Sequence, residues 1–456
     1  MTANGNTYLA LAASQGVAVT DTSKWQCLID TADKLNSGNS VSPEKYGAVG
    51  DGATDDTEAM QEAVYDAWYN NVPLVLSPGK VYTTKRELDI SGQINIFGNG
   101  ATIRAISGFS DSIILHISDI SGQQFPQNQS SAMIDNLTLD CNGIARVGLW
   151  INVLRFDVIT NLHVCNMAPN IVSANPDNAD IVSEYGIGIM IQGGYEHLFH
   201  NIQIAASESP YTVGLFTYRT DSRFANIVTK NVGIAIHDEA ESNYYDGVHA
   251  WNTVSAIIAK SVMFDLYGTT HLTNCFCDTC MTAVRMNNNA EIILEGFQAV
   301  HGGSTYMPGA TPTIFKLPQA HPEYAGNIKS YGMCYLTPTE SYNLFDTDIS
   351  QYTGFLWIDN NGESVQAMNN VPTKQIRNAL LHEEYIAGTT QSIAFDSAGN
   401  VQSITHKDGS NNTVRTDVFT FAANSITETR TLSTGESLTI VTNLTTLETT
   451  VTYAAA

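Results

Sequence analysis

The sequence predicts an all-β solenoid: a right-handed parallel β-helix with an N-terminal capping helix and a C-terminal antiparallel β module. Three observations predict it. Apolar columns recur around Asn and Gly anchors at intervals of 21 to 40 residues, a period that marks a solenoid. Two strand-like segments fall in each interval with no helical pattern between them, which separates a β-helix from a leucine-rich repeat. Charged residues are only 14% of the chain while Gly numbers 34, a mix that suits short strands and turns.

The elements follow in order. Residues 1–42 are expected to form a helical adaptor and linker. Tyr8, Leu9, Leu11 and Ala12, then Trp25, Leu28, Ile29, Ala32 and Leu35, stand at helical spacing. Asp21, Thr22 and Ser23 offer helix caps, and residues 36–42 read as a linker.

The β-helix is expected over residues 43–384. It opens on KYGAVGDGATDDT, Lys45–Thr57. Gly50 and Gly52 permit a tight turn. Thr54, Asp55 and Asp56 can cap a helix over 55–69. Ala59, Met60, Ala63, Val64, Ala67 and Trp68 give that helix one apolar face. It would lid the open end of the strand stack, and capping accounts for the Asp55–Asp56 pair without catalysis.

The repeat aligns on Asn136, Asn161, Asn201, Asn226, Gly247, Asn274 and Gly296. Two residues before each anchor stand Ile134, Ile159, Phe199, Phe224, Tyr245, Leu272 and Leu294. One after stand Leu137, Leu162, Ile202, Ile227, Val248, Cys275 and Phe297. Three after stand Leu139, Val164, Ile204, Thr229, Ala250, Cys277 and Ala299. A second strand per coil is expected to turn Leu149, Ile189, Leu215, Ile234, Ile257 and Val284 inward. The polar stretch 166–185 is an insertion of the kind that walls a binding face in solenoids, and it is expected beside the acidic residues 196, 221 and 241.

Residues 385–456 change character. Val414–Phe421, Ile426–Leu432, Leu438–Thr442 and Thr446–Tyr453 alternate as an antiparallel meander, read as a trimerisation or attachment module.

Composition also excludes. A net charge of −24 disfavours nucleic acid and anionic membranes. No apolar stretch reaches membrane-spanning length, and the N-terminus shows no signal-peptide pattern. The seven cysteines carry no framework spacing. Cys275, Cys277 and Cys280 read as buried thiols rather than metal ligands, and no cofactor is expected.

The motif KYGAVGDGATDDTEAMQEAV, with PLVLSPGKVYTTKRELDI and INIFGNGATI after it, resembles the pectate-lyase-like β-helix superfamily. It is most similar to the branch of phage tailspikes and capsular polysaccharide depolymerases. The resemblance implies a homotrimer on a virion tail, joined to other tail proteins through its terminal modules and binding bacterial surface polysaccharide. It implies synthesis in the host cytoplasm without a signal peptide. The NTD, GHG and RIK motifs of polygalacturonases are missing, as are WIDH and RxPxxR of pectate lyases, so no catalytic residue carries over.

Candidate chemistry comes from outward positions. Glu196, Asp221 and Ser242 stack on consecutive coils beside Glu241. The second strand ends in Tyr218 and Arg219 on one coil and in Asp238, followed by Glu239, on the next. Glycoside hydrolysis needs two carboxylates, and coils stack at about 5 Å, the retaining separation. Asp221 and Glu241 are the favoured pair, with Asp238 and Glu196 as alternative partners. Tyr218 and Arg219 are candidate sugar contacts. A second group, Asp246, His249 and Trp251, alternates on one strand. There Trp251 can stack on a sugar, and His249 and Asp246 can act as acid or base. A lyase would draw on His237, Lys260 or Arg285. The expectation is a tailspike-like depolymerase acting by glycoside hydrolysis. The alternatives are a lyase on the same scaffold, a non-catalytic receptor-binding fibre and, last, a cellular pectin enzyme.

Overall fold

The protein is described here from a computed structural model, which covers residues 2–3, 6–10, 25–29, 40–118, 131–152, 155–175, 179–206, 209–240, 242–287, 290–300, 311–317, 328–335, 342–346, 356–360, 368–369, 390–395, 401–422, 425–443 and 449–454. The chain divides into two compact units, Met1–Thr270 and His271–Ala456.

The first unit holds a right-handed parallel β-helix. Its first sheet stacks Val81–Thr84, Ile94–Ala105, Ala132–Asp140, Val158–Cys165, Leu198–Ala205 and Arg223–Lys230. The short strands Ser242–Asp246 and His249–Trp251 both pair with the last of these. The predicted columns stack as expected: Ile134, Ile159, Phe199, Phe224 and Tyr245 are in register from coil to coil. All five are buried. The Phe224 and Tyr245 rings stack 4.9 Å apart and 13° from parallel, an arrangement that contributes about 1 kcal/mol beyond the area it buries.

The anchors explain the bend. Asn136, Asn161, Asn201, Asn226 and Gly247 all have φ between 52° and 68°. One left-handed residue per coil turns the chain sharply, and Asn and Gly enter that region at least cost. Side chains tie neighbouring corners: Asn201 Nδ2 donates to Asn161 Oδ1 at 2.5 Å, and Asn161 Nδ2 to Asp135 Oδ1 at 2.7 Å.

The second sheet stacks Leu88–Ser91, Ile113–Ser118, Val147–Asn152, Gly186–Gln192, Thr212–Tyr218, Ile234–Glu239 and Val262–Leu266. Its interior column runs Leu149, Ile189, Leu215, Ile236 and Phe264. This corrects the predicted column at two places. Ile234 pairs with Val213 instead, and Ile257 lies in a short helical turn, Ser255–Ile258, ahead of the strand. Ile234 and Ile236 are both apolar and two residues apart, so hydrophobicity alone cannot fix which one stacks on Leu215.

The capping helix spans Thr57–Tyr69 and buries Met60, Ala63, Val64 and Ala67. It seals the first strand of the second sheet directly. Gln61 Nε2 donates to the Asp89 carbonyl at 3.0 Å, and Gln61 Oε1 accepts from the Asp89 amide at 3.2 Å. One side-chain amide thus satisfies backbone groups that an edge would leave bare. Asp55 caps the helix through the Thr57 amide. Asp56 does something else: it accepts from the Val49, Gly50 and Thr83 amides, pinning the glycine turn to the strand behind it.

Two expectations are overturned. The N-terminal residues are not helical where described: Thr2–Ala3, Asn6–Ala10 and Trp25–Ile29 form a three-stranded antiparallel sheet. Trp25, Cys27 and Ile29 alternate at strand period as readily as Trp25, Leu28 and Ile29 fit a helix, and pairing decides between them. The 166–185 insertion also lies elsewhere than expected. Arg146 Nη1 donates to the Val182 and Tyr185 carbonyls, and Ile181 and Tyr185 pack on the apolar cluster of Val147, Ile187, Val213 and Ile234. It therefore covers the starts of the second-sheet strands. The acidic turn follows their ends, roughly 20 Å away at about 3.3 Å per residue.

In the second unit, parallel strands continue from Phe276–Asp278 through Ile328–Tyr335 and Leu356–Asn360. Asn274 and Gly296 keep the positive φ of the anchor series. Cys275, Cys277 and Cys280 are buried thiols, and Cys280 together with burial pushes the Cys277 thiol well up. Cys27 lies in a described strand and Cys334 in another, but their side chains are outside the described set. Six strands from Thr390 to Ala454 then form a sequential antiparallel sheet. A buried Asp417 accepts from Arg415 at 2.7 and 2.6 Å and lies 3.1 Å from His406.

Candidate functional site

The second-sheet strands Thr212–Tyr218 and Ile234–Glu239 end side by side, with Thr217 opposite Asp238 and Tyr218 opposite Glu239. Strand alternation sends neighbours to opposite faces. Asp238 shares the interior face with Ile236. Its carboxylate is fully enclosed and accepts from Thr217 Oγ1 at 2.7 Å, Ala240 N at 2.9 Å and Asn243 Nδ2 at 3.1 Å. Tyr245 Oη at 3.2 Å and Thr270 Oγ1 at 3.3 Å complete the cradle. Burial holds its pKa above the usual carboxylate value against those hydrogen bonds. The prediction that Asp238 faces substrate is therefore wrong. The two-residue slip described above is the cause: it set Asp238 in the turn beside Arg219, where the true register sets it inside the strand beside Thr217.

The same register brings His237 and Glu239 to the outer face. His237 Nδ1 lies 2.7 Å from Oδ2 of Asp265 on the next strand, and Nε2 lies 2.9 Å from Glu239 Oε1. The imidazole stacks on Phe216 at 5.0 Å and 8°, with Tyr267 tilted against it at 5.3 Å. Burial lowers its pKa, but the hydrogen bonds to Asp265 and Glu239 outweigh burial and lift it to about 9. His237 and Asp265 are sealed from solvent, while the Glu239 side chain keeps 34% of its surface exposed. The result is a carboxylate–imidazolium–carboxylate row with one end open to water.

Around that open end stand other predicted residues. Tyr218, half-buried, is directly beside Glu239, and the Arg219 guanidinium sits 4.9 Å over its ring. Arg219 is left-handed at φ 53°, as is Glu196 at φ 60°. Neither residue type favours that region, and such strain gathers where side chains are aimed for use. Asp221 is exposed on the same turn, and its carbonyl accepts from the Glu196 amide one coil away at 2.7 Å. Glu196 and Asp221 thus stand at one place on consecutive coils of one turn, and Glu239 ends the strand of the next coil opposite Tyr218, three residues ahead of Asp221. Glu241 lies outside the described residues.

The second predicted group stands apart, on first-sheet strands. Asp246 is exposed and pairs in register with Ala225, and His249 with Val228. Trp251 is in register with Lys230, whose ammonium lies 4.6 Å over the indole. The structure does not bring these residues to the turn that carries Asp221 and Glu239. Lys260, a candidate for lyase chemistry, bonds the Tyr211 hydroxyl at 2.9 Å at the far end of the strands.

One cluster that the sequence did not suggest has metal-ligand composition. Glu87, Asp89 and His116 hold their ligand atoms within 4.8 Å of one another. His116 Nδ1 lies 2.9 Å from Glu87 and 3.5 Å from Asp89, contacts that an imidazole–carboxylate ion pair also makes.

Comparison with known proteins agrees with this fold. Residues 40–258 match the family model described as rhamnogalacturonase A/epimerase, pectate lyase-like. A stretch of 112 residues is 31% identical to a capsule K30/K69-specific depolymerase of Klebsiella phage K64-1, taking in 23% of this chain and 13% of that protein. Among solved structures, Geobacillus virus E2 ORF18 superposes with a TM-score of 0.50 at 12% identity, over 95% of this chain and 81% of that one. The Dettilon tailspike protein gp208 gives 0.50 at 12% identity, over 91% and 83%. The likeness to the pectate-lyase-like family model thus takes in just under half of the chain, and the solved structures share its parallel β-helix fold. No described helix is long and apolar enough to cross a membrane.

Proposed function

We propose that this protein is a tailspike-type depolymerase that binds bacterial surface polysaccharide and cuts it by glycoside hydrolysis. The observation that carries the reading is the turn where Glu196 and Asp221 follow one another on consecutive coils beside Tyr218 and Arg219. Parallel stacking spaces neighbouring coils by about 4.8 Å, which suits two carboxyl groups flanking one glycosidic bond. One carboxyl gives its proton to the leaving oxygen as the C–O bond breaks. The other attacks or activates the water that supplies the new hydroxyl. Asp221 and Glu196 are exposed and available for either part, and Glu241 remains a partner for Asp221. Tyr218 offers an aromatic face to a sugar ring, and Arg219 a cation to an acidic sugar. The similarity to a phage capsule depolymerase and to tailspike structures supports the substrate class. The enclosure of His237 between two carboxylates favours hydrolysis over a lyase using that imidazole as base.

The working form is a homotrimer on a virion tail, with the terminal modules meeting other tail proteins. Light scattering should give about three times the 49.4 kDa chain mass, and a lone monomer in dilute buffer contradicts it. The activity is tested by incubating the protein with purified bacterial capsules. Hydrolysis yields new reducing ends without ultraviolet absorbance from unsaturated uronate. Absorbance growing in step with the ends would assign a lyase, and no cutting of any capsule would leave a binding fibre.

A further inference from the structure

We infer that Glu239, at the strand end that leads into this turn, is a catalytic carboxylate and that His237, backed by Asp265, is the positioning residue that holds it. The inference rests on the depolymerase reading and adds a residue the acidic turn did not supply by itself. Its basis is geometric. The three side chains stand on the outer face of two adjacent strands: Asp265 is buried, His237 is buried, and Glu239 is open to solvent. Phe216 below and Tyr267 beside the imidazole fix its plane, so its two nitrogens can point only along the row. Among the described residues the groups that face it are the neutral Phe216 on the preceding strand, Asp265 from the following strand, Tyr267 from the turn after it, and Glu239 from His237's own strand.

A doubly protonated imidazole donates from both nitrogens, and a neutral one from a single nitrogen. The row as drawn needs both donors. Losing the proton breaks one of the two bonds. Water can take the imidazole's place on Glu239, which reaches solvent, and not on Asp265, which is sealed, so the neutral ring keeps Asp265 and releases Glu239. Holding Glu239 is therefore coupled to the charge on His237, which persists to about pH 9. Below that, Glu239 is held as an acceptor in fixed orientation, fit to attack the anomeric carbon or to take a proton from the attacking water. The proton for the leaving oxygen comes from the second carboxyl, Asp221 or Glu196.

Two variants and two readouts test this. Glu239→Gln keeps an oxygen for His237 and removes the base, so cutting of a susceptible capsule should fall about 10²- to 10⁴-fold with the melting temperature nearly unchanged. His237→Gln should lower kcat less and move the alkaline limb of the pH–rate profile away from pH 9, an effect that mere loss of stability does not produce. Full activity in Glu239→Gln overturns the catalytic role. An unmoved alkaline limb in His237→Gln overturns the positioning role. Wild-type protein that cuts no capsule overturns the depolymerase reading, and Glu239's role with it. The pH dependence of melting, which needs no substrate, then still decides the clamp: it is supported if the melting temperature of wild type falls between pH 6.5 and 9 and that of His237→Gln does not, and overturned if the two fall alike.

Discussion

Two histidines of this helix meet an aspartate one coil away, and they differ in how their ring nitrogens are bonded. His197 lies 2.8 Å from Asp157, and His237 lies 2.7 Å from Asp265. All four side chains are sealed from water to within 1%. At His197 the row ends there. The contact with Asp157 lacks hydrogen-bond alignment, and the second ring nitrogen meets no partner. At His237 both nitrogens are bonded, and the row runs on to Glu239, which reaches solvent. A buried histidine–carboxylate pair is thus no mark of function by itself. The distinguishing feature is a third group that conveys the pair's geometry to the surface.

The comparison is broken most easily by substitution at its exposed end. Glu239→Gln should remove about 10²- to 10⁴-fold of the cutting rate while leaving the fold intact. The matched change in the closed pair is Asp157→Ala. It should cost about 3–5 kcal/mol of stability, as removing one partner of a buried pair does, read as a lower denaturation midpoint. Cutting per folded molecule should not change. If Asp157→Ala instead spares stability and abolishes cutting, the two pairs have been assigned the wrong way round.

Titration sharpens the comparison further. Folding raises the His237 pKa from 6.5 to about 9, so the folded state holds a proton more tightly than the unfolded chain. The stability this contributes is full below about pH 6.5 and is lost as pH rises through about 9. Melting curves taken across that window should show a decline in wild type that His237→Gln largely removes. The smallest effect concerns the corners. Asn226 is left-handed at φ 54°, so Asn226→Gly should be close to neutral, whereas Asn226→Ala should destabilise by about 1 kcal/mol in chemical denaturation.

The first sheet was legible in the sequence because two independent signals coincide there. A left-handed Asn or Gly recurs once per coil, and three apolar columns sit at fixed offsets from it. The second sheet lacks an anchor. In GIAIHDE, Ile234 and Ile236 are equally apolar, so a slip of two residues leaves the pattern intact. That slip moved Asp238 out of the core on paper and hid Glu239 beside Tyr218. Had Ile236 been set against Leu215, the sequence would have placed Asp238 opposite Thr217 and Glu239 opposite Tyr218. Asp221, Glu196 and Arg219 could be placed outward because they lie in turns just beyond the strands, where outward placement does not depend on the exact register, and Tyr218 closes its strand next to them. Asp265 was beyond reach, since its pairing with His237 exists only once the helical turn Ser255–Ile258 is known to lengthen that coil. At the N-terminus, Trp25–Ile29 fits both periods, and only strand pairing settles it.

The measurement that tests the account most directly is a crystal structure of an inactive Glu239→Gln variant soaked with an oligosaccharide of the susceptible capsule. The account predicts a sugar ring against Tyr218, its glycosidic oxygen within hydrogen-bond reach of Asp221 or Glu196, and residue 239 facing the anomeric carbon from the other side. Oligosaccharide bound instead along Asp246, His249 and Trp251, with the acidic turn empty, would contradict it.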